Sequence, residues 1–445
     1  MRAPIWFLDG FLNVADAKMT IYNHSNFIMK CTALISAIVF VSCAHAQSTA
    51  APERQVLQPR VEVMHFWISQ SESKALDVYR RAWARRGGKW LDMPTKDRQT
   101  ELKMVSDRMA SGYPPTVMQW HANEGSRELA AMGVIQDIEE VAAADHWRDF
   151  LPRNVIDLIS YHGHIYFAPV NIHAENWLWT NKKIFDRLKL PAPTSWNSIL
   201  DSAAKIKAAG YTPIGLGGAS WEVGLIFNDI VYSVYGPQGY AALMSGSDPK
   251  AAMKPAMLEA LGILRRLSAF VEPRRDGKTW VDATRSVGRG RAGMQFIGDY
   301  AKGELNEAGF AVDRDYRCSL APGTTSVYFI VIDAFAFPTN NEKLDRPSQL
   351  LFAHEIMNAD NQIAFNRLKG SIPVRTDIRD KDIDTCGKIG LDLISSKNGQ
   401  VSAPSMMMPS QMSQEWMDIV AGYFNDAKIS AVGVQRQLAQ VLSEK

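Results

Sequence analysis

Val61-Glu62-Val63-Met64-His65-Phe66-Trp67 is an alternating, largely apolar run, the pattern of a strand with a buried face. A helical pattern follows at once over 71–86, with Ser71 as its expected cap. Strand then helix is one βα unit, and the alternation continues. Helix is expected over 99–109, strand over 115–120, helix over 125–132 and strand over 164–169. Such a sequence of elements predicts an α/β protein with largely parallel pairing.

A second set of helical patterns covers 182–188, 195–209, 223–235 and 251–269, interrupted by the short apolar stretch 212–216. A long strand-like run spans 326–337, and helices are expected over 347–357 and 362–367. There is no internal repeat, heptad run or linker rich in Pro, Gly or Ser. Two lobes whose chain crosses between them more than once would leave no such linker.

Composition limits the function classes. The 445 residues hold 49 Lys plus Arg and 47 Asp plus Glu, a formal charge of +2, so no basic face for nucleic acid is implied. Hydrophobic residues at 46% and charged residues at 22% are ordinary for a globular protein with sizeable cores.

The string MKCTALISAIVFVSCAHA (29–46) has a basic start, an apolar run too short to span a bilayer and an Ala-His-Ala end. It reads as a secretory signal peptide within a 1–46 leader, cleaved after Ala46 for export to the periplasm, with a lipid anchor at Cys43 as the second reading. The leader carries Arg2, Asp9, Asp16, Lys18 and Lys30, so the exported part is almost neutral. Of four cysteines only Cys318 and Cys386 lie beyond it. An even count in an oxidising compartment predicts one disulfide between them, with two free buried thiols as the alternative. The bridge would close a loop of about 70 residues and contribute roughly 3 to 4 kcal/mol.

No metal site is expected, because the two cysteines are isolated and no zinc spacing is present. No cofactor is expected either: nucleophile elbows, metalloprotease helices, phosphate loops and dinucleotide loops are absent from the sequence, and Gly288-Arg289-Gly290 lacks a third glycine. Glu72, Asp299 and Asp333 could form a glycosidase pair, a weak signal in a chain so rich in acids. The 12 tryptophans are more informative. A pyranose presents an apolar face of C–H groups inside a rim of hydroxyls, so aromatic rings beside carboxylates suit sugar recognition. Trp177, Trp179 and Trp196 sit among helix signals and are expected in the core. Phe66 and Trp67 end a strand just before a helix, where α/β sheets bind ligands.

Seven strings in order, VMHFWISQSE (63–72), PVNIHAENWLWTNKKIF (169–185), GGASW (217–221), AGMQFIGDYAKGE (292–304), CSLAPGT (318–324), DAFAF (333–337) and KGSIPVR (369–375), make nearly the whole exported chain resemble one family. It is the glucose/mannose branch of the extracellular, family 1 sugar-binding proteins that serve ATP-binding-cassette (ABC) importers. The resemblance implies a two-lobed α/β periplasmic-binding fold of type II, with lobes at 60–169 plus 330–375 and at 170–329 plus 376–445. It implies a sugar held between the lobes and a monomer that docks on the transmembrane subunits of a permease. By the same resemblance Phe66 and Trp67 are stacking platforms, Glu72 and Asp333 hydroxyl acceptors, Lys369 a donor and Trp221 a wall from the other lobe. Asp299 would touch the sugar or organise its loop, Asn171 and His173 would support the hinge, and Cys318 and Cys386 match the family's disulfide pair.

The chain departs from that pattern. Phe66 stands where a tryptophan is usual, Leu91-Asp92-Met93-Pro94-Thr95-Lys96 replaces a glycine-rich segment, and Trp120-His121 stands where a lysine is usual, which brings His121 into the binding set. The expected histidines before Trp221 and after Pro404-Ser405 are missing. Loss of several polar groups together makes glucose a poor fit and predicts a less polar, deoxygenated or methylated sugar. Two rivals share the same residues: a secreted carbohydrate-active enzyme, and a partner that presents a ligand to a chemoreceptor or sensor kinase.

Overall fold

The computed structural model describes residues 58–443 except 124–125, 340–344, 379–380, 382 and 397–398. The leader, its cleavage point and Cys43 lie outside the described residues.

Strands in chain order are β1 (Arg60–His65), β2 (Lys89–Pro94), β3 (Val117–His121), β4 (Phe167–Ala174), β5 (Trp177–Asn181), β6 (Thr212–Ile214), β7 (Ala292–Phe296), β8 (Tyr316–Leu320), β9 (Tyr328–Ala336) and β10 (Gln400–Ser402), with a two-stranded ribbon at Ser160–Tyr161 and His164–Ile165. They form a six-stranded sheet in the order β10-β9-β3-β1-β2, with β4 along the other edge of β9, and a four-stranded sheet β8-β5-β7-β6. Pairing is mixed, which corrects the expectation of a largely parallel fold. The pairs β1–β2, β1–β3, β9–β10 and β6–β7 are parallel, whereas β9–β3, β9–β4, β5–β8 and β5–β7 are antiparallel.

The first helix, α1 (Gln70–Arg85), is capped by Ser69 and not by Ser71. The Ser69 hydroxyl accepts from the Glu72 amide and the Glu72 carboxylate accepts from the Ser69 amide, a reciprocal capping box. This fixes the backbone of Glu72 in the first turn of α1. Helix α2 (Arg98–Ala110) is capped by Asp97. The expected helix at 223–235 is longer, α3 (Ser220–Met244), and kinks at Gly236, whose φ of 68° precedes Pro237. The expected helix 251–269 is a 3₁₀ turn, α4 (Pro255–Leu267) and a second 3₁₀ turn. Helices α5 (Trp280–Gly288) and α6 (Tyr300–Glu307) flank β7. Helices α7 (Asp345–Met357) and α8 (Ala359–Lys369) return to the first sheet, and α9 (Thr385–Ser395), α10 (Ser410–Asn425) and α11 (Ala431–Ser443) complete the chain.

The chain passes between the sheets at Glu175 and Asn176, at 321–327 and again at 403–409, so each half is built from separated segments. Strand β4 runs through 169–170 within the first sheet, and β10 joins that sheet from the 376–445 segment. Asn176 ties two of the passages together. Its amide donates to Thr324 Oγ1 and the Val327 carbonyl, and its Oδ1 accepts from the Phe329 amide, all at 2.9 Å. Asn176 is fully buried with both polar atoms of its side chain bonded, which fixes the spacing of the two passages. Trp177, Trp179 and Trp196 are core residues, as expected. Cys318 on β8 and Cys386 on α9 form the predicted disulfide. Among the described residues no helix is long and apolar enough to cross a membrane.

Candidate functional site

The C-terminal ends of β1 and β3 and the middle of β9 meet at one edge of the first sheet. In the β3–β9 ladder His121 lies opposite Asp333 and Gln119 opposite Phe335, so all four side chains share a face. The Phe66 amide donates to Gln119 Oε1 (3.1 Å), which fixes the turn out of β1. Phe66 is half-buried and meets His121 edge-on, with centroids 6.0 Å apart. Trp67 is 2% exposed, its ring packed against Phe335 and Phe365.

Two charge networks fill this edge. In the first, Lys369 Nζ lies 2.6 Å from Glu72 Oε1, and both groups are buried. The ammonium sits 5.7 Å from the Trp67 ring and 5.5 Å from the Tyr300 ring, between a residue of the turn that joins β1 to α1 and one of α6. In the second, Asp333 accepts from His121 Nε2 (3.2 Å), His173 Nε2 (3.0 Å) and Asn171 Nδ2 (3.2 Å). Burial alone would raise the Asp333 pKa, but the bonds from His121 and His173 and the His173 charge hold it well below the carboxylate range. Burial, with the Arg98 charge, lowers His121 to about 4, so it donates as a neutral imidazole. His173 is desolvated too, yet Asp299 and Asp333 on its two nitrogens raise it to about 9. It is a cation between two carboxylates. Asp299 is engaged on both oxygens, by His173 Nδ1, the Ala174 amide (3.1 Å) and the Tyr328 hydroxyl (3.1 Å), at the passage between the sheets.

The opposite wall comes from the second sheet. Tyr300 is its centre: Trp221 and Trp280 meet the ring at centroid distances of 6.4 and 5.0 Å, and His173 at 5.7 Å. Glu222, next to Trp221, is fully buried and accepts from the Gly217 amide (2.7 Å); burial raises its carboxyl to about 7 against that bond. The walls also bond directly. The Ser71 amide at the start of α1 donates to Glu304 Oε1 (2.8 Å), and Gln70 donates to Glu307 Oε1 (2.8 Å). The backbones come close at Gly370, where φ is 93° and a Cβ would fall 2.6 Å from the Asp299 carbonyl and 2.8 Å from the Gly303 amide. Only glycine permits that approach.

Residues 96–353 match the family model for bacterial extracellular solute-binding proteins. The chain belongs to that family. This solute-binding protein is 32% identical over 426 residues to a probable sugar-binding periplasmic protein of Brucella suis, covering 94% of this chain and 99% of the relative. It is 34% identical over 393 residues to a probable sugar-binding periplasmic protein of Rhizobium meliloti, covering 86% and 94%. Among solved structures it resembles the bacterial solute receptor AcbH, described as having an exclusive preference for β-D-galactopyranose, with a TM-score of 0.74, 17% identity and coverage of 86% of this chain and 97% of that one. The fold is thus the two-lobed α/β fold of periplasmic binding proteins.

In this solute-binding protein Phe66, Trp67, Glu72, His121, Asp333 and Lys369 converge on the sheet edge, and Trp221 faces them through Tyr300. Asp299 is set back behind His173. In the sequence Tyr300 stands only as one residue of the string AGMQFIGDYAKGE (292–304), although its ring joins both walls. His173 carries a linkage that can be measured. Its folded pKa is raised above the ordinary 6.5, so its contribution is complete below pH 6.5 and is lost as pH rises through about 9. Unfolding free energy is expected to fall by roughly 3 kcal/mol over that window. Urea titrations at pH 6.5 and 9.5 check this, and in His173→Asn the decline should largely vanish.

Proposed function

We propose that this protein is the substrate-binding component of an ABC importer, which captures a monosaccharide or small sugar in the periplasm and delivers it to a membrane permease. The observation that carries the reading is the pairing of aromatic walls with charged acceptors and donors. Trp67, in the turn after β1, and Tyr300, at the start of α6, come from opposite walls, and Glu72, Lys369, Asp333 and His121 lie between or beside them. Stacking on the rings holds the C–H face of a pyranose, and the carboxylates take its hydroxyl protons. Lys369 closes one face of Trp67, so a stacked sugar shifts the ammonium aside and takes it as a donor.

Binding is capture without chemistry. Glu72 is held by Lys369 and by its capping box, and Asp299 by three protein donors, so neither is poised as a free acid or base. Asn176 and the His173–Asp299 pair form the hinge on which the lobes close. Closure is favoured by whatever the ligand contacts only in the closed form. Export through the leader places the protein in the periplasm, the location named for its Brucella and Rhizobium relatives.

A thermal-shift screen with glucose, mannose, galactose, xylose, arabinose, deoxy and O-methyl sugars and the common disaccharides tests the reading. A ligand that binds only the native state raises the midpoint, by about 2.7 kcal/mol of added stability at a concentration 100 times its Kd. At least one sugar should do so, and a flat response across the panel would remove the sugar reading.

A further inference from the structure

The first turn of α2 carries two charged side chains that the site described above does not use. Glu101 is 0% exposed, and neither carboxyl oxygen has a hydrogen-bond partner among the described residues. Arg98, one turn earlier, lies over the Trp120 ring with its guanidinium carbon 5.3 Å from the centroid, and its Nη1 is buried and unpartnered. Trp120 pairs with Ala334 and His121 with Asp333 in the same ladder. Trp120 points to the opposite face of the sheet from His121 and Asp333, but it adjoins His121 at the C-terminal end of β3, the end at which α2 starts, so the pair reaches the same sheet edge from the other face, and the Asp333 charge acts on both groups. Burial without a partner is costly for a polar group and more so for a carboxylate. Glu101 responds as such a group should: burial drives its pKa well above the ordinary value, with Asp333 adding to the rise against the opposing Arg98 charge. Nothing in the packing of α2 needs a carboxyl there, because Asp97 already caps the helix.

We infer that Arg98 and Glu101 are specificity-determining residues that read an unmodified vicinal diol at the end of the sugar next to Asp333. The chemistry is complementary. Burial favours the protonated Glu101, whose O–H donates to one hydroxyl while its other oxygen accepts from the neighbouring one, and a hydroxyl oxygen accepts from Arg98 Nη1. Both residues follow directly on the segment 91–96 that replaces the glycine-rich stretch of the resembling family. They return polar groups to a site that the sequence alone suggests has lost them, so the ligand need not be deoxygenated at this end.

The inference rests on the sugar reading, and its test separates the two. Taking the sugar of the panel that gives the largest thermal shift, calorimetric affinities are measured for it and for its full set of monodeoxy and mono-O-methyl derivatives. The proteins are wild type, Glu101→Met, Glu101→Gln, Arg98→Gln and Asp333→Ala. In the wild type, loss of either of two adjacent hydroxyls should weaken binding about tenfold or more, the scale of a lost hydrogen bond that leaves a buried partner unsatisfied. In Glu101→Met the parent sugar should bind about tenfold more weakly, and those two derivatives should lose no more than about twofold further. The ligand-free midpoint of Glu101→Met should stay level or rise, since an unpartnered carboxyl has been removed.

A penalty equal at all positions, or a fall in midpoint with unchanged discrimination, would assign the pair a structural role and overturn the inference. If Asp333→Ala loses binding while Glu101→Met and Arg98→Gln keep it, the inference fails alone. If no sugar shifts the wild type, the sugar reading fails and the inference with it.

Discussion

Replacing Asp333 by alanine should weaken the best sugar roughly 100-fold while leaving the protein folded at 25 °C. The carboxylate is 3% exposed and accepts from His121, His173 and Asn171. Those donors orient it, so its remaining lone pairs meet a hydroxyl without reorganisation. Truncating one partner of a buried charged hydrogen bond costs about 2–5 kcal/mol, which includes the groups left behind. Here the loss strands His121 and leaves the His173 cation with Asp299 alone. Calorimetry gives the affinity and circular dichroism confirms the fold. Unchanged affinity would show that Asp333 serves only the hinge and not the ligand. Trp67→Ala is the less clean comparison, because that ring also fills a core pocket against Phe335 and Phe365, and loss of an aromatic core residue costs about 3–5 kcal/mol of stability in itself.

The split between what could be read along the chain and what could not follows the range of each interaction. β1 and α1 were legible because alternation and helical spacing are local. The Ser69-x-x-Glu72 capping box is equally local, and the helix starts at Gln70, one residue before the expected range. β2 escaped notice because it is an edge strand whose side chains are half-buried or exposed and which ends in Pro94, so its residues lack a clean alternation. Strand direction was beyond reach, since a period of two is identical in parallel and antiparallel pairs. The same limit applies to the site. Phe66, Trp67, Asp333 and Lys369 could be marked from residue type and resemblance. Tyr300 owes its place to Trp221, Trp280 and Lys369, and Arg98 and Glu101 to the β3–β9 register, contacts between segments distant in sequence.

Removing the disulfide should lower stability by about 4 kcal/mol, and thermal midpoint by roughly 5–10 °C, the larger figure applying if one lobe melts alone. Cys318 and Cys386 are 68 residues apart with Cα atoms 6.0 Å apart, so the bridge removes a long loop from the unfolded ensemble without displacing either backbone. Its position matters beyond loop length. Cys318 lies in β8, paired with Trp179 of the second sheet, whereas α9 touches the start of β9 in the first sheet: a Cβ on Gly390 would meet Ile372 at 2.5 Å and the Tyr328 hydroxyl at 2.9 Å. Tyr328 in turn bonds Asp299. The bridge therefore pins α9 beside the passage where His173 and Asp299 sit. Cys318→Ser/Cys386→Ser should show the full loss in urea. Dithiothreitol should bring the wild type to the same midpoint and leave the variant unmoved. A wild type that ignores reductant after unfolding and refolding in its presence would mean that the covalent link contributes nothing, and that α9 is held by packing, the Lys302–Asp384 ion pair and the Thr385–Asp313 hydrogen bond.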